Sequence, residues 1–396
     1  MKTGIQKREF LPLVGLTISA FLVNTSEFIP IGLLSDIAGA FHQTAAQTGV
    51  MITVYSWAVT ILSLPLMLAV AKMDYRRLLL CLLGLFVAGQ AATALAPGFA
   101  FLLLARLIVA CVHSVFWAIA SPVAVRIASR EHQSFALSMI VTGTAIAMVL
   151  GMPLGRMLGL AFGWRAPFFF MAAAALAVLI YLLRCFPKLP GQQSFTMRDL
   201  PSLLQNRMLI LIYVFVVLLV TGYYTTYSYI EPFLIQVAGL SEDVTTAALT
   251  LFGIAGLLGS ALYSKYYAKT RRIFFLSSIV AFSAALLLLY PAALLGKPFV
   301  IAVCALLGIA ATAFNVEMQG EIIHFSPANA SAIAMAIYSA IFNLGIGVGT
   351  GFGGFVSTHI SLQSIGIAGG LIVAAALLFC AVFITRKWEP ERQEEG

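Results

Sequence analysis

The chain has 396 residues, 61% of them apolar and only 10% charged, with a formal net charge of +8. A soluble domain of ordinary composition carries about 25% charged residues, so two or three water-soluble domains cannot be clothed with what is present, and lipid must be the main solvent. The basic residues fall in short groups between apolar runs, which argues against a nucleic-acid surface, and the five cysteines lie in or beside apolar runs without paired metal spacing.

Lys2, Lys7 and Arg8 precede the first apolar run, which covers 10–34. That run is too long for a signal peptide and lacks a small-residue cleavage site. At about 1.5 Å per residue it reaches roughly 37 Å, enough for the roughly 30 Å hydrocarbon core with some tilt. Eleven further spans are expected at 46–70, 77–96, 99–126, 134–160, 164–186, 208–236, 244–264, 273–294, 298–323, 329–356 and 362–385. The expected fold is therefore an all-α membrane protein of twelve transmembrane helices. With the N-terminus in the cytoplasm, 19 of the 23 Lys and Arg residues fall on the cytoplasmic side; the positive-inside rule then places both termini there. Arg165 and Lys297 fall in outer loops, and Arg106 and Arg156 within spans.

The longest interior gap, 187–207, holds Pro187, Pro190, Gly191 and Pro201 and reads as a linker. Within it, Met197–Leu204 suits a short interfacial helix. The gap separates a six-helix bundle at 1–186 from another at 208–396. The halves echo each other: Thr25, Leu34, Ala38, Gly39 and Gly151 recur 200 residues later, and Arg76-Arg77 recurs as Arg271-Arg272. Two parallel six-helix pseudo-repeats place a binding site at mid-membrane between the halves.

Polar residues inside the spans mark candidate sites, because a charge there costs about 2.5–3.5 kcal/mol on insertion scales. Asn24 and Glu27 share a face of the first span. Arg106, His113 and Trp117 share a face of the fourth, with Arg106 at a depth similar to Glu27; an ion pair holding helices together and a shared functional cavity both fit. His113 either titrates near neutral pH or hydrogen-bonds a neighbour. In the seventh span Tyr223, Tyr227 and Glu231 fall one turn apart on one face, with aromatic and hydroxyl character suited to amphipathic or sugar-like ligands, while Tyr229 suits the interfacial aromatic belt. Thr312, Asn315 and Gln319 make a polar stripe in the tenth span, Glu317 and Glu321 near its inner end suit a gate or a solvated face, and Asn343 lies mid-way along the eleventh. Gly349–Gly354 satisfies G-x-G-x-x-G, but without a preceding strand it reads as close helix packing rather than a nucleotide site, as do Gly151, Gly155 and Gly159. No phosphate-binding loop of an ATP-driven pump is present.

Twelve spans, a central linker and a basic turn between spans two and three resemble the major facilitator superfamily. The segment from Gly143 through Gly151, Pro153 and Gly155 resembles the span-five antiporter motif of its proton-coupled exporters, and Arg106 matches a membrane-embedded arginine of another of its motifs. The turn LAVAKMDYRRLLL at 68–80 keeps the basic pair of the signature loop but lacks the usual Gly and Asp. NTSEFIPIGLLSDIAGAFH and YTTYSYIEPF further resemble the bacterial sugar efflux transporters of the SotB type. That resemblance implies a monomer in the bacterial inner membrane, exporting arabinose-like or lactose-like sugars or related small molecules in exchange for protons, without a cofactor or metal. Glu27, Arg106 and His113 are then the expected proton-coupling residues, and Asn24, Trp117, Tyr223, Tyr227, Glu231, Asn315 and Asn343 the expected substrate contacts. A multidrug/proton antiporter is the rival within the class. A membrane-embedded enzyme or a receptor is disfavoured by the lack of clustered catalytic groups and of a soluble sensing domain.

Overall fold

The computed structural model describes residues 6–70, 73–190, 205–326 and 331–385. The expected interfacial helix at Met197–Leu204 and most of the linker lie outside them. Among the described residues twelve helices are long and apolar enough to cross a membrane: Lys7–Gly32, Ala45–Ser63, Tyr75–Ala94, Phe99–Ile127, Arg130–Phe162, Ala166–Cys185, Arg207–Tyr227, Glu242–Tyr267, Thr270–Leu295, Lys297–Phe325, Ala334–His359 and Leu362–Ile384. They are numbered here as spans one to twelve. Spans eight and nine are nearly continuous and separate at Thr270, whose φ of −138° and ψ of 40° leave the helical region.

Local chemistry sets several ends. Gly163 closes span five at φ 88°, a left-handed conformation that glycine adopts without the Cβ clash. The Asp74 carboxylate accepts from Arg77 N–H at the start of span three, and the Asn206 side chain accepts from Met208 and Leu209 N–H at the start of span seven; both supply partners for amides that the first helical turn leaves open.

Span seven is shorter than its apolar run. Its helix stops at Tyr227, and a brief helical segment, Ile230–Pro232, and a wide turn, Phe233–Val237, follow. Pro232 has no N–H to give Ser228 and its ring crowds that carbonyl, so the break falls at Ser228–Tyr229, where Tyr229 takes φ −117° and ψ 17°. Tyr229 is also not an interfacial belt residue. It is 1% exposed and its hydroxyl donates to the Thr350 carbonyl.

By contact the chain divides into two compact units, Met1–Ile37 with Val54–Phe195, and Ala38–Thr53 with Thr196–Gly396. Span two is thus divided between them. In the first unit, span five packs along span one through small residues. A Cβ on Gly143 would lie 2.6 Å from the Thr17 carbonyl oxygen, one on Gly151 3.1 Å from Thr25, and one on Gly155 2.6 Å from Ile29. Each contact joins residues at the same sequence offset, as expected of two parallel helices in register. The second unit repeats the device between spans eleven and seven, where Gly345 faces Val217 and Val220, Gly349 faces Thr221 and Gly353 faces Thr225. The glycine runs are packing seams.

Candidate functional site

In the first unit the site begins with a defect in span one. Pro30 cannot donate to the carbonyl of Ser26, four residues earlier. Arg106 of span four fills the vacancy, donating Nη2–H to Ser26 O at 3.1 Å. The arginine is 2% exposed, and its guanidinium carbon sits 4.5 Å from the centroid of the Tyr55 ring, a cation–π arrangement. Its Nε and Nη1 are buried with no hydrogen-bond partner.

Glu27 follows Ser26 on span one but does not pair with Arg106; among the described residues its one ion-pair partner is His113, with Oε2 4.0 Å from Nδ1. The expected depth match holds, while the contact runs from the arginine to the backbone beside Glu27. His113 hydrogen-bonds the Tyr55 hydroxyl through Nδ1 at 3.0 Å. Trp117, one turn further along span four, meets the His113 ring edge-on with centroids 6.2 Å apart. Asn24 turns to span five, donating to the Thr144 carbonyl at 3.4 Å. Arg106, His113 and Trp117 therefore share a face, with Glu27 beside them. Tyr55 of span two, which touches both the arginine and the histidine, gave no spacing signal in the sequence.

The motif residues of span five hold this frame. Gly143 and Gly151 bring the helix against Thr17 and Thr25, and Gly155 against Ile29. Pro153 lies inside the helix. Arg156 is wholly buried and donates to the Gly32 carbonyl at 2.6 Å, placing a cation at the C-terminal end of span one, where the helix dipole favours it.

In the second unit Tyr223 and Tyr227 stack, centroids 4.8 Å apart, and Tyr227 stacks in turn on Phe252 at 5.2 Å. Glu231 is fully buried and lies beyond the break at Ser228–Tyr229, in the separate segment Ile230–Pro232. Asn315 accepts from Gln319 Nε2–H at 2.5 Å. Asn343 donates to the Ser339 carbonyl at 3.0 Å and keeps a buried Oδ1 without a partner. Neither asparagine bonds to the tyrosines. Glu317 and Glu321 are not solvated, being 0% and 1% exposed. Among the described residues no group of His, Cys, Asp and Glu side chains is large enough to hold a metal ion.

Twelve apolar spans with polar, charge-bearing faces define a multi-pass membrane transporter. The sequence matches the Major Facilitator Superfamily over residues 16–316 and 248–396, and the chain belongs to that family, whose members are transporters rather than enzymes. Two solved structures with the same fold are of a bacterial homolog of the human lysosomal transporter Spinster. The inward-facing, unoccupied form has a TM-score of 0.77 at 15% identity, covering 96% of both chains. The inward-facing, occupied form has a TM-score of 0.76 at 16% identity, covering 95% of this chain and 97% of the other. At such identity the likeness speaks for the fold alone.

Proposed function

We propose that this transporter exports arabinose-like or lactose-like sugars, or related small molecules, in exchange for protons, working by alternating access as a monomer in a bacterial inner membrane with both termini in the cytoplasm. The observation that carries the reading is the membrane-embedded set Glu27, His113, Tyr55 and Arg106. A carboxylate stands 4.0 Å from an imidazole, and both lie by a guanidinium with two spare donors. Such a set can take up a proton at Glu27, with His113 and Arg106 setting its proton affinity, and offer hydrogen bonds to hydroxyl groups of a substrate. Asn24, Trp117, Tyr223, Tyr227, Glu231, Asn315 and Asn343 supply the further polar and aromatic contacts that a sugar uses. The resemblance to the sugar efflux transporters of the SotB type supports the substrate class.

The energetics suffice. The membrane potential gives about 2.3 kcal/mol per charge per 100 mV. One proton entering per neutral substrate therefore sustains roughly a 50-fold gradient, at 1.4 kcal/mol per decade. A second reading, multidrug export, rests on the Tyr223–Tyr227–Phe252 stack, which suits flat apolar or cationic guests.

The test is Glu27→Gln in proteoliposomes with an imposed pH gradient. Glutamine keeps the size and hydrogen bonding of the protonated acid and cannot titrate. The variant is expected to exchange substrate passively and to lose uphill export. Full concentrative export by the variant would leave Glu27 a structural residue and refute the assignment. A panel of sugars and cationic dyes in the same vesicles separates the two substrate readings.

A further inference from the structure

The second unit holds two buried carboxyl groups that the proposed exchange does not use. Span ten carries Glu317 and Glu321 one turn apart. Span nine sets Arg271 and Ser278 against them, and span eight adds Tyr267. Glu321 is fully compensated. Arg271 donates to it in a two-pronged pair, Nε–H to Oε1 at 2.8 Å and Nη2–H to Oε2 at 2.5 Å, and the Tyr267 hydroxyl donates to Oε1. Glu317 is 0% exposed. Its Oε2 accepts from the Ser278 hydroxyl at 2.8 Å, and its Oε1 has no partner at all.

We infer that Glu317 is a proton-binding site in the second half of the molecule, holding a proton on Oε1 while Arg271 is committed to Glu321 and releasing it when that pair opens. The charge count carries the argument. Two buried carboxyl groups stand one turn apart with one guanidinium, which is bonded to Glu321. If both were ionised, one full negative charge would stand in the membrane interior facing a lone hydroxyl donor, a situation a buried carboxyl group escapes by neutralisation. One proton balances the set. The other titratable groups that bear on Glu317 add no cation. They are Tyr263 of span eight and Cys380 of span twelve, together with Glu321, which repels a second negative charge. Among the described side chains Arg271 is the only cation in this set. Opening of the Arg271–Glu321 pair to water frees the guanidinium and leaves the Glu321 carboxylate hydrated, so that Glu317 can give its proton to water and become the new partner of Arg271. Proton occupancy and the state of that pair are thereby linked. None of this rests on the role of Glu27.

Infrared difference spectroscopy of the purified full chain, acid minus alkaline, tests the inference directly. The wild type is expected to show the carbonyl stretch of a protonated carboxyl group, displaced in heavy water. Glu317→Gln, which matches the neutral acid in shape, should lose one component of that band, and that component should remain in Glu27→Gln. Glu321→Gln removes the competitor for Arg271, so the band should weaken at neutral pH. A band unchanged in Glu317→Gln overturns the proposal, as does one untouched in Glu321→Gln. A band whose midpoint follows sodium concentration at fixed pH identifies a metal cation as the ligand and overturns it equally.

Discussion

Replacing Gly143 by alanine should loosen the first unit, and the structure gives the size of the effect. The new Cβ would stand 2.6 Å from the Thr17 carbonyl oxygen and 3.1 Å from Thr17 Cγ2. The carbonyl is backbone and cannot rotate aside. Spans one and five must therefore part locally by roughly 0.8 Å to regain ordinary contact, and overpacking of this kind costs about 1–3 kcal/mol. Alanine returns about 0.5–1 kcal/mol through its better helix propensity. The net loss lies within about 0–2.5 kcal/mol, centred near 1.2 kcal/mol, or up to roughly 70-fold in the folded-to-unfolded ratio. Gly84 of span three provides the control, because nothing lies within 4 Å of its Cβ position; Gly84→Ala should be neutral or slightly stabilising. Reversible unfolding by SDS in mixed micelles, read by far-ultraviolet circular dichroism, compares the two. Equal stability of Gly143→Ala and Gly84→Ala would refute the seam as a packing constraint. A further expectation follows within the same assay: Gly349→Ala, which meets the carbonyl oxygen, the carbonyl carbon and the Cα of Thr221, should lose at least as much.

Arg271→Ala leaves Glu321, 1% exposed, without its charged partner. Breaking a buried pair from one side costs about 3–5 kcal/mol; with Arg271 partly open to solvent, a loss near about 3 kcal/mol is expected, and the double change Arg271→Met with Glu321→Leu should recover most of it in the same unfolding assay. Reporter fusions at the C-terminus should give a cytoplasmic signal, following the basic groups on that side; a periplasmic signal would defeat the topology.

The twelve spans were legible because hydropathy over about 20 residues is a strong local signal, and the glycine spacing of spans five and eleven announced close packing. Arg106, His113 and Trp117 were placed on one face by helical periodicity alone. The break in span seven was also written in the sequence, since Pro232 deprives Ser228 of a helical partner, but the apolar run past it outweighed that sign. Tyr55 and the pair Arg271–Glu321 escaped for a different reason. The partner of Tyr55 is 58 residues away and that of Arg271 is 50 residues away, so neither distance has a period to reveal it. Position near a helix end suggested solvent for Glu317 and Glu321, whereas tertiary packing buries both.

Pro30 and Arg106 form a single unit of change. Any other residue at position 30 would offer its own N–H to the Ser26 carbonyl, which can accept twice, so the bond from Arg106 would become dispensable. Any residue without a long donor at position 106 would strand that carbonyl in an apolar interior, at a cost of several kcal/mol. Loss of the arginine is therefore most harmful while Pro30 is present, and a change at position 30 relaxes the demand on position 106. A proline on one helix thereby fixes a positive charge on another, 76 positions along the chain.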